Sequence, residues 1–141
     1  KTLPLRIERH CQNARLVAAW LQEHSRVAQV NFPGTPGHPD AATVRRLFPK
    51  NMFGGMVSFT IKDAGREEIF RFNNALKLMI RATSLGDVHT LISYPAITSH
   101  RELAPKHRQK LGIEDNLLRL SVGIEAAEDI IADLEQALER T

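Results

Sequence analysis

Apolar residues recur along this chain at a helical period in some stretches and at a period of two in others. From about residue 4 to 24, Ile7, Cys11, Ala14, Val17, Ala18 and Leu21 share one helical stripe, while Arg6, Arg9, Asn13 and Glu23 supply polar positions. Pro4 suits a first helical turn, where its missing N–H has no partner to lose. Val27 to Phe32 reads as a short strand. Three prolines between Pro33 and Pro39 exclude helix or central strand there. Asp40 is placed to cap a short helix running to about Phe48. Gly54-Gly55 then turns the chain into Met56 to Lys62, where Val57, Phe59 and Ile61 alternate with Met56, Ser58, Thr60 and Lys62.

A turn at Asp63-Ala64-Gly65 leads to a helix over about 66–80, with Ile69, Phe72, Leu76, Met79 and Ile80 on one stripe. Val88 to Tyr94 predicts a strand ended by Pro95, and residues 99–112 read as connection with one helical turn after Pro105. The last strand alternates most clearly. Leu118, Leu120 and Val122 fall on one face, and Leu117, Arg119 and Ser121 on the other. A helix over about 125–139 closes the chain, with Ala127, Ile130, Ile131, Leu134 and Leu138 as its stripe and Glu125, Glu128 and Asp129 near its positive end.

Strands that alternate, rather than being apolar throughout, predict a largely antiparallel sheet with one covered face. The fold class is therefore α+β, a two-layer sandwich with the long helices covering one side of the sheet. At 141 residues the chain fits a single domain, 1–141. No apolar run reaches the length of a membrane span, and no signal peptide is visible at Lys1-Thr2-Leu3-Pro4. The first residue is not Met, which points to a processed chain or a piece of a longer protein. One cysteine, Cys11, excludes an internal disulfide and fits a reducing, cytoplasmic setting.

The charge balance, 19 basic against 16 acidic residues, leaves only +3. Arg45-Arg46 is the sole adjacent arginine pair, and one Trp and one Tyr offer little for stacking on bases. The footprint of a nucleic-acid binder is not there. Six histidines stand at 10, 24, 38, 89, 100 and 107 with no ligand spacing, so no metal site is expected. Cys11 lies on an apolar stripe and reads as a small buried hydrophobe rather than a nucleophile. Gly54-Gly55 lacks the lysine and the following helix of a phosphate-binding loop. Ser99-His100 is no nucleophile–base pair by sequence, because adjacent residues seldom face each other. Arg119 carries two readings: an ordinary outward charge on the open face of a sheet, or a planar fork for a carboxylate, with Ser121 beside it in support.

Arg119-Leu120-Ser121-Val122-Gly123-Ile124-Glu125, followed by Glu128-Asp129 and Asp133-Leu134, resembles the C-terminal signature of the cystathionine γ-lyase/γ-synthase family of pyridoxal-phosphate enzymes. Four more segments agree in order: Lys1 to Arg6 with Glu8-Arg9-His10, Phe53 to Phe59, Ser84-Leu85-Gly86 with Leu91-Ile92 and Pro95-Ala96, and Leu111-Gly112-Ile113. The resemblance implies the C-terminal domain of a transsulfuration enzyme acting on sulfur amino acids or homoserine derivatives. It implies pyridoxal phosphate as the cofactor of the full-length enzyme, held by a domain outside this chain. None of Lys1, Lys50, Lys62, Lys77, Lys106 or Lys110 has the family's Ser-x-Thr-Lys context, so no catalytic lysine is expected here and the chain alone should be inactive.

By the same resemblance, Arg119 holds the substrate's α-carboxylate, Ser84 and the Leu85 backbone line the pocket, and Ser99 contacts the distal part of the substrate. His100 is expected to be structural. Thr83 occupies a position that varies with reaction choice, and Ile97-Thr98-Ser99 departs from the family's commoner Met-Thr pattern. A γ-lyase is favoured, with β-lyase, γ-synthase and O-acylhomoserine sulfhydrylase left open. The parent is expected to be a homotetramer. The alternative is a non-catalytic dimerisation or amino-acid-binding module.

Overall fold

The computed structural model describes residues 1–48 and 52–141, so Lys50 lies outside the described residues. The first helix, α1, spans Leu3–Glu23 with a proline in its first turn. Its buried side is Cys11, Ala14, Val17, Ala18 and Leu21, as the spacing requires, joined by His10 and Asn13. Ile7 departs from the stripe: at 38% exposed it leaves the core and faces the far side of the sheet. Strand β1, Val27–Asn31, and strand β2, Met56–Ile61, pair antiparallel with a register shift between Val27 and Gln29. Between them lies the short helix α2, Ala41–Leu47. Asp40 precedes it without any side-chain capping bond, contrary to the sequence reading. The segment keeps one buried residue, Val44.

Helix α3, Arg66–Ala75, stops five residues before the predicted end. The cause lies on another element. Asp133 accepts the backbone N–H groups of Lys77, Leu78 and Met79 at 2.8, 2.9 and 3.1 Å. Those amides cannot also close helical turns. The chain instead opens into strand β3, Ile80–Arg81, which the sequence pattern did not reveal. Strand β4 is Leu91–Ser93, shorter than the predicted 88–94. Helix α4, Pro105–Lys110, is the turn of helix expected after Pro105. Strand β5, Leu117–Ser121, and helix α5, Ala127–Leu138, complete the chain. Glu125 was expected inside that last helix. Its carboxylate instead takes the Thr90 N–H at 2.6 Å and the Thr90 hydroxyl at 2.9 Å, so the helix begins two residues later.

The five strands form one sheet in the order β1-β2-β5-β4-β3. Three pairings are antiparallel and the β3–β4 pairing is parallel, so the sheet is mixed and largely antiparallel. Phe59, Ile61, Ile92, Leu118 and Leu120 point to one side. There they pack with Ala14, Val17 and Leu21 of α1, Ile69 and Phe72 of α3, and Ile130, Leu134 and Leu138 of α5. Phe59 and Phe72 meet edge to face at 6.2 Å between ring centres. This is the expected α+β layering, with α1, α3 and α5 packed on one face of the sheet. Among the described residues, no helix is long and apolar enough to cross a membrane.

Candidate functional site

The site is built on β5, the central strand. Its alternation sends Leu118 and Leu120 into the core and Arg119 to the open face. The register places Ser58 of β2 on one side of Arg119 and Ser93 of β4 on the other. Asn31 of β1 pairs with Ser58, so the open face carries a row Asn31, Ser58, Arg119, Ser93 across four strands. Two small serines beside an arginine leave the guanidinium room to lie along the sheet.

It lies toward the loop that follows β3. Arg119 Nη2 donates to the Thr83 carbonyl at 2.9 Å and to the Ser84 carbonyl at 3.3 Å. The Nε of the same guanidinium is shut off from solvent and has no partner among the described residues, a state it shares with the Nε of Arg6 and of Arg108. A buried charged N–H without an acceptor is costly, roughly 1–3 kcal/mol or more. A carboxylate meets a guanidinium edge with two parallel hydrogen bonds.

Arg119 lines a hollow of about 330 Å³ together with Asn31, Ser58, Ser99 and His100. Leu85 and Gly86 line an adjoining hollow of about 220 Å³ with Ile7, His10 and Ser121, and Met56 is the wall common to both. Thr83 and Ser84 border a third and larger space, about 560 Å³, which reaches Ile92, Tyr94 and α3 on the helix side of the sheet. The structure thus brings Arg119 and Ser99 into one concavity. It joins Thr83 and Ser84 to Arg119 through backbone carbonyls and sets Leu85 next door with its side chain exposed.

Ser99 and His100 correct the sequence reading. Neighbours in sequence though they are, Ser99 Oγ and His100 Nδ1 stand 2.7 Å apart, because the turn after β4 folds both toward the hollow. Among the described residues no carboxylate bonds His100, so the pair is not a triad. Cys11 is buried on the core side, away from these hollows, as its spacing indicated. No cluster of metal-binding side chains occurs among the described residues.

Sequence reasoning missed five contributors. Ser58 and Ser93 flank Arg119 only through strand register, which no local pattern discloses. His10 donates from Nδ1 to the Val122 carbonyl at 2.6 Å, and Asn13 donates to the Gly123 and Glu125 carbonyls at 3.0 and 2.8 Å. Together they fasten the end of β5 to α1; two polar residues on the inner side of an apolar stripe were the available signal. Tyr94, behind the site, donates its hydroxyl to the Asp115 carbonyl at 2.5 Å. Burial, and then the Asp115 carboxylate, push its ionisation above the ordinary tyrosine range.

Residues 1–139 match the family described as Cys/Met metabolism PLP-dependent enzyme. The chain is 44% identical over 138 residues to the cystathionine β-lyase of Coxiella burnetii, an alignment covering 98% of this chain and 35% of that protein. It is 45% identical over 140 residues to the L-methionine γ-lyase of Fusobacterium nucleatum, covering 99% of this chain and 35% of that one. The crystal structure of the cystathionine γ-synthase of Xanthomonas oryzae, in complex with aminoacrylate and cysteine, superposes with a TM-score of 0.89 at 40% identity, covering 99% of this chain and 35% of that one. The chain spans 35% of the length of the curated relatives named here.

Proposed function

This chain belongs to the family of Cys/Met metabolism PLP-dependent enzymes, and from that premise we propose that it is the part of such an enzyme that grips the α-carboxylate of an amino-acid substrate. The observation that carries the reading is the guanidinium of Arg119, held at Nη2 by the Thr83 and Ser84 carbonyls and lining an open hollow with Ser99 and His100. A planar guanidinium held in this way can meet a two-oxygen anion with parallel N–H bonds.

No lysine lines the hollows around Arg119, Leu85 or Ser84, so no amine of the described chain stands ready for the cofactor's aldehyde. In the whole enzyme the cofactor supplies an electron sink for bonds breaking at the substrate's Cα. The part this chain plays is orientation. Arg119 fixes one substituent of Cα, and that limits how the others can point. The Thr83 and Ser84 carbonyls fix Arg119 in turn. Ser99, held by His100, faces the same hollow and meets the substrate farther along its side chain. The reading favours a γ-lyase acting on a sulfur amino acid, with Thr83 at the rim as the residue through which reaction choice is expressed.

The test is Arg119→Ala in the complete, cofactor-loaded enzyme. Loss of a charge-assisted pair worth ~1.5–3 kcal/mol should lower kcat/KM by roughly 10- to 150-fold. Turnover equal to that of the parent would overturn the assignment.

A further inference from the structure

We infer that Ser121 is a positioning residue for Arg119, acting through the loop 83–86; the inference rests on the carboxylate reading of Arg119 given above. Arg119 and Ser121 stand two residues apart on one strand and point to the same face. Each reaches the same loop. Arg119 takes the Thr83 and Ser84 carbonyls. Ser121 Oγ accepts the Gly86 N–H at 2.9 Å. The contacts close a ring: guanidinium, Ser84 carbonyl, Leu85, Gly86 N–H, Ser121 hydroxyl and back along β5.

The loop has little else to hold it. It begins where Ala82 N–H reaches the Ile92 carbonyl at 3.0 Å, the last bond of the β3–β4 ladder. Leu85 is 61% exposed and packs no core. Gly86 adopts φ +76, a conformation that leaves its N–H aimed at the strand and that residues with side chains seldom take. Ser121, by contrast, is 3% exposed and sits on a strand bonded on both sides, opposite Met56 and Leu91. The rigid partner is the strand and the adjustable one is the loop. The hydroxyl sets where the Ser84 carbonyl stands, and the carbonyl sets the plane of the guanidinium. Without the hydroxyl, the loop carbonyls and the fork can turn together, and the guanidinium loses its fixed aim.

This role predicts an effect confined to ligands that carry a carboxylate. The experiment compares glycine with methylamine as ligands of the complete, cofactor-loaded enzyme. Binding is read from the absorbance of the bound cofactor, and thermal unfolding is recorded alongside. Ser121→Ala should weaken glycine by about 3- to 10-fold, the scale of one hydrogen bond between neutral groups. Methylamine should change less than about twofold on the same scale. Arg119→Ala should abolish the preference for glycine and so serves as the reference. If Arg119→Ala removes the preference while Ser121→Ala leaves it intact, the positioning role is overturned and the carboxylate reading stands. If Arg119→Ala keeps the preference, the carboxylate reading fails and the positioning role with it. Equal weakening of both ligands by Ser121→Ala, or a lowered unfolding temperature with the preference unchanged, would reduce Ser121 to a structural residue and overturn the inference.

Discussion

Two short stretches flank β3, and each is held by an ion from a distant element. Residues 77–79, before the strand, are held by Asp133 of α5; residues 83 and 84, after it, are held by Arg119 of β5. The difference between the two ions is one of satisfaction. Asp133 is 6% exposed, accepts three backbone N–H groups and takes the Gln136 amide at 3.0 Å besides. Its lone pairs are committed. Arg119 spends Nη2 on the loop and leaves Nε buried without a partner. A fully coordinated ion anchors a backbone. An under-coordinated one beside an opening keeps donors that the fold has not used.

Substitutions at the two ions should therefore fail in different ways. The largest effect is expected at Asp133. Asp133→Ala strands three donors that have no second acceptor, a loss of about 3–5 kcal/mol in local stability. Native-state hydrogen exchange at Lys77, Leu78 and Met79 checks it, and protection equal to that of the parent would dissolve the contrast. The glycine-to-methylamine ratio of the folded variant should stay as it was. Arg119→Lys comes next. The charge remains but the planar fork is gone, and an ammonium cannot hold two loop carbonyls while offering a matched edge to a carboxylate. A fall in kcat/KM of about 10-fold, smaller than for Arg119→Ala, is expected with exchange at 77–79 unchanged.

The smallest effect sharpens the comparison at an exposed acid. Glu68 of α3 accepts the Gly65 N–H at 2.9 Å and pairs with Arg71 at 2.6 Å. Backbone N–H groups, its own and then that of Gly65, hold its carboxyl below the ordinary glutamate range. The folded value lies below the unfolded one, so the stabilisation is complete above the ordinary glutamate value and is lost as pH falls through the folded value. A side-chain NMR titration should place the midpoint of Glu68 below that of a free glutamate. Glu68→Gln should remove the acid-dependent part of α3 fraying and leave Asp133 and Arg119 untouched.

The faces of β5 were legible because alternation is a local property: Leu118 and Leu120 against Arg119 and Ser121 can be assigned from five consecutive residues. The stripes of α1 and α5 were legible for the same reason. What escaped was set by residues far away. The end of α3 is decided by Asp133, more than fifty positions downstream; its stripe seemed to continue through Met79 and Ile80, but Met79 is buried without being helical and Ile80, on β3, is 46% exposed. The β3 strand is two residues long and makes no pattern of its own. Arg119 could be singled out, yet its serine neighbours and the hydroxyl beneath Gly86 depend on register, which is a relation between strands. Ser99 and His100 were judged by sequence adjacency in an extended chain, and the turn they occupy brings their side chains together.

The strand that carries Arg119 is the last of the five to leave the ribosome, yet it occupies the middle of the sheet. Until β5 arrives, β1–β2 and β3–β4 are two separate ribbons, each with an edge of unpaired amides turned toward the gap. A nascent chain must therefore hold that gap open against premature closure or capture by another molecule. The same late step that seals the sheet also installs the arginine. Molecules stalled before that point would be exposed to aggregation and chaperone capture, and none of them would yet possess the guanidinium proposed above to grip a carboxylate.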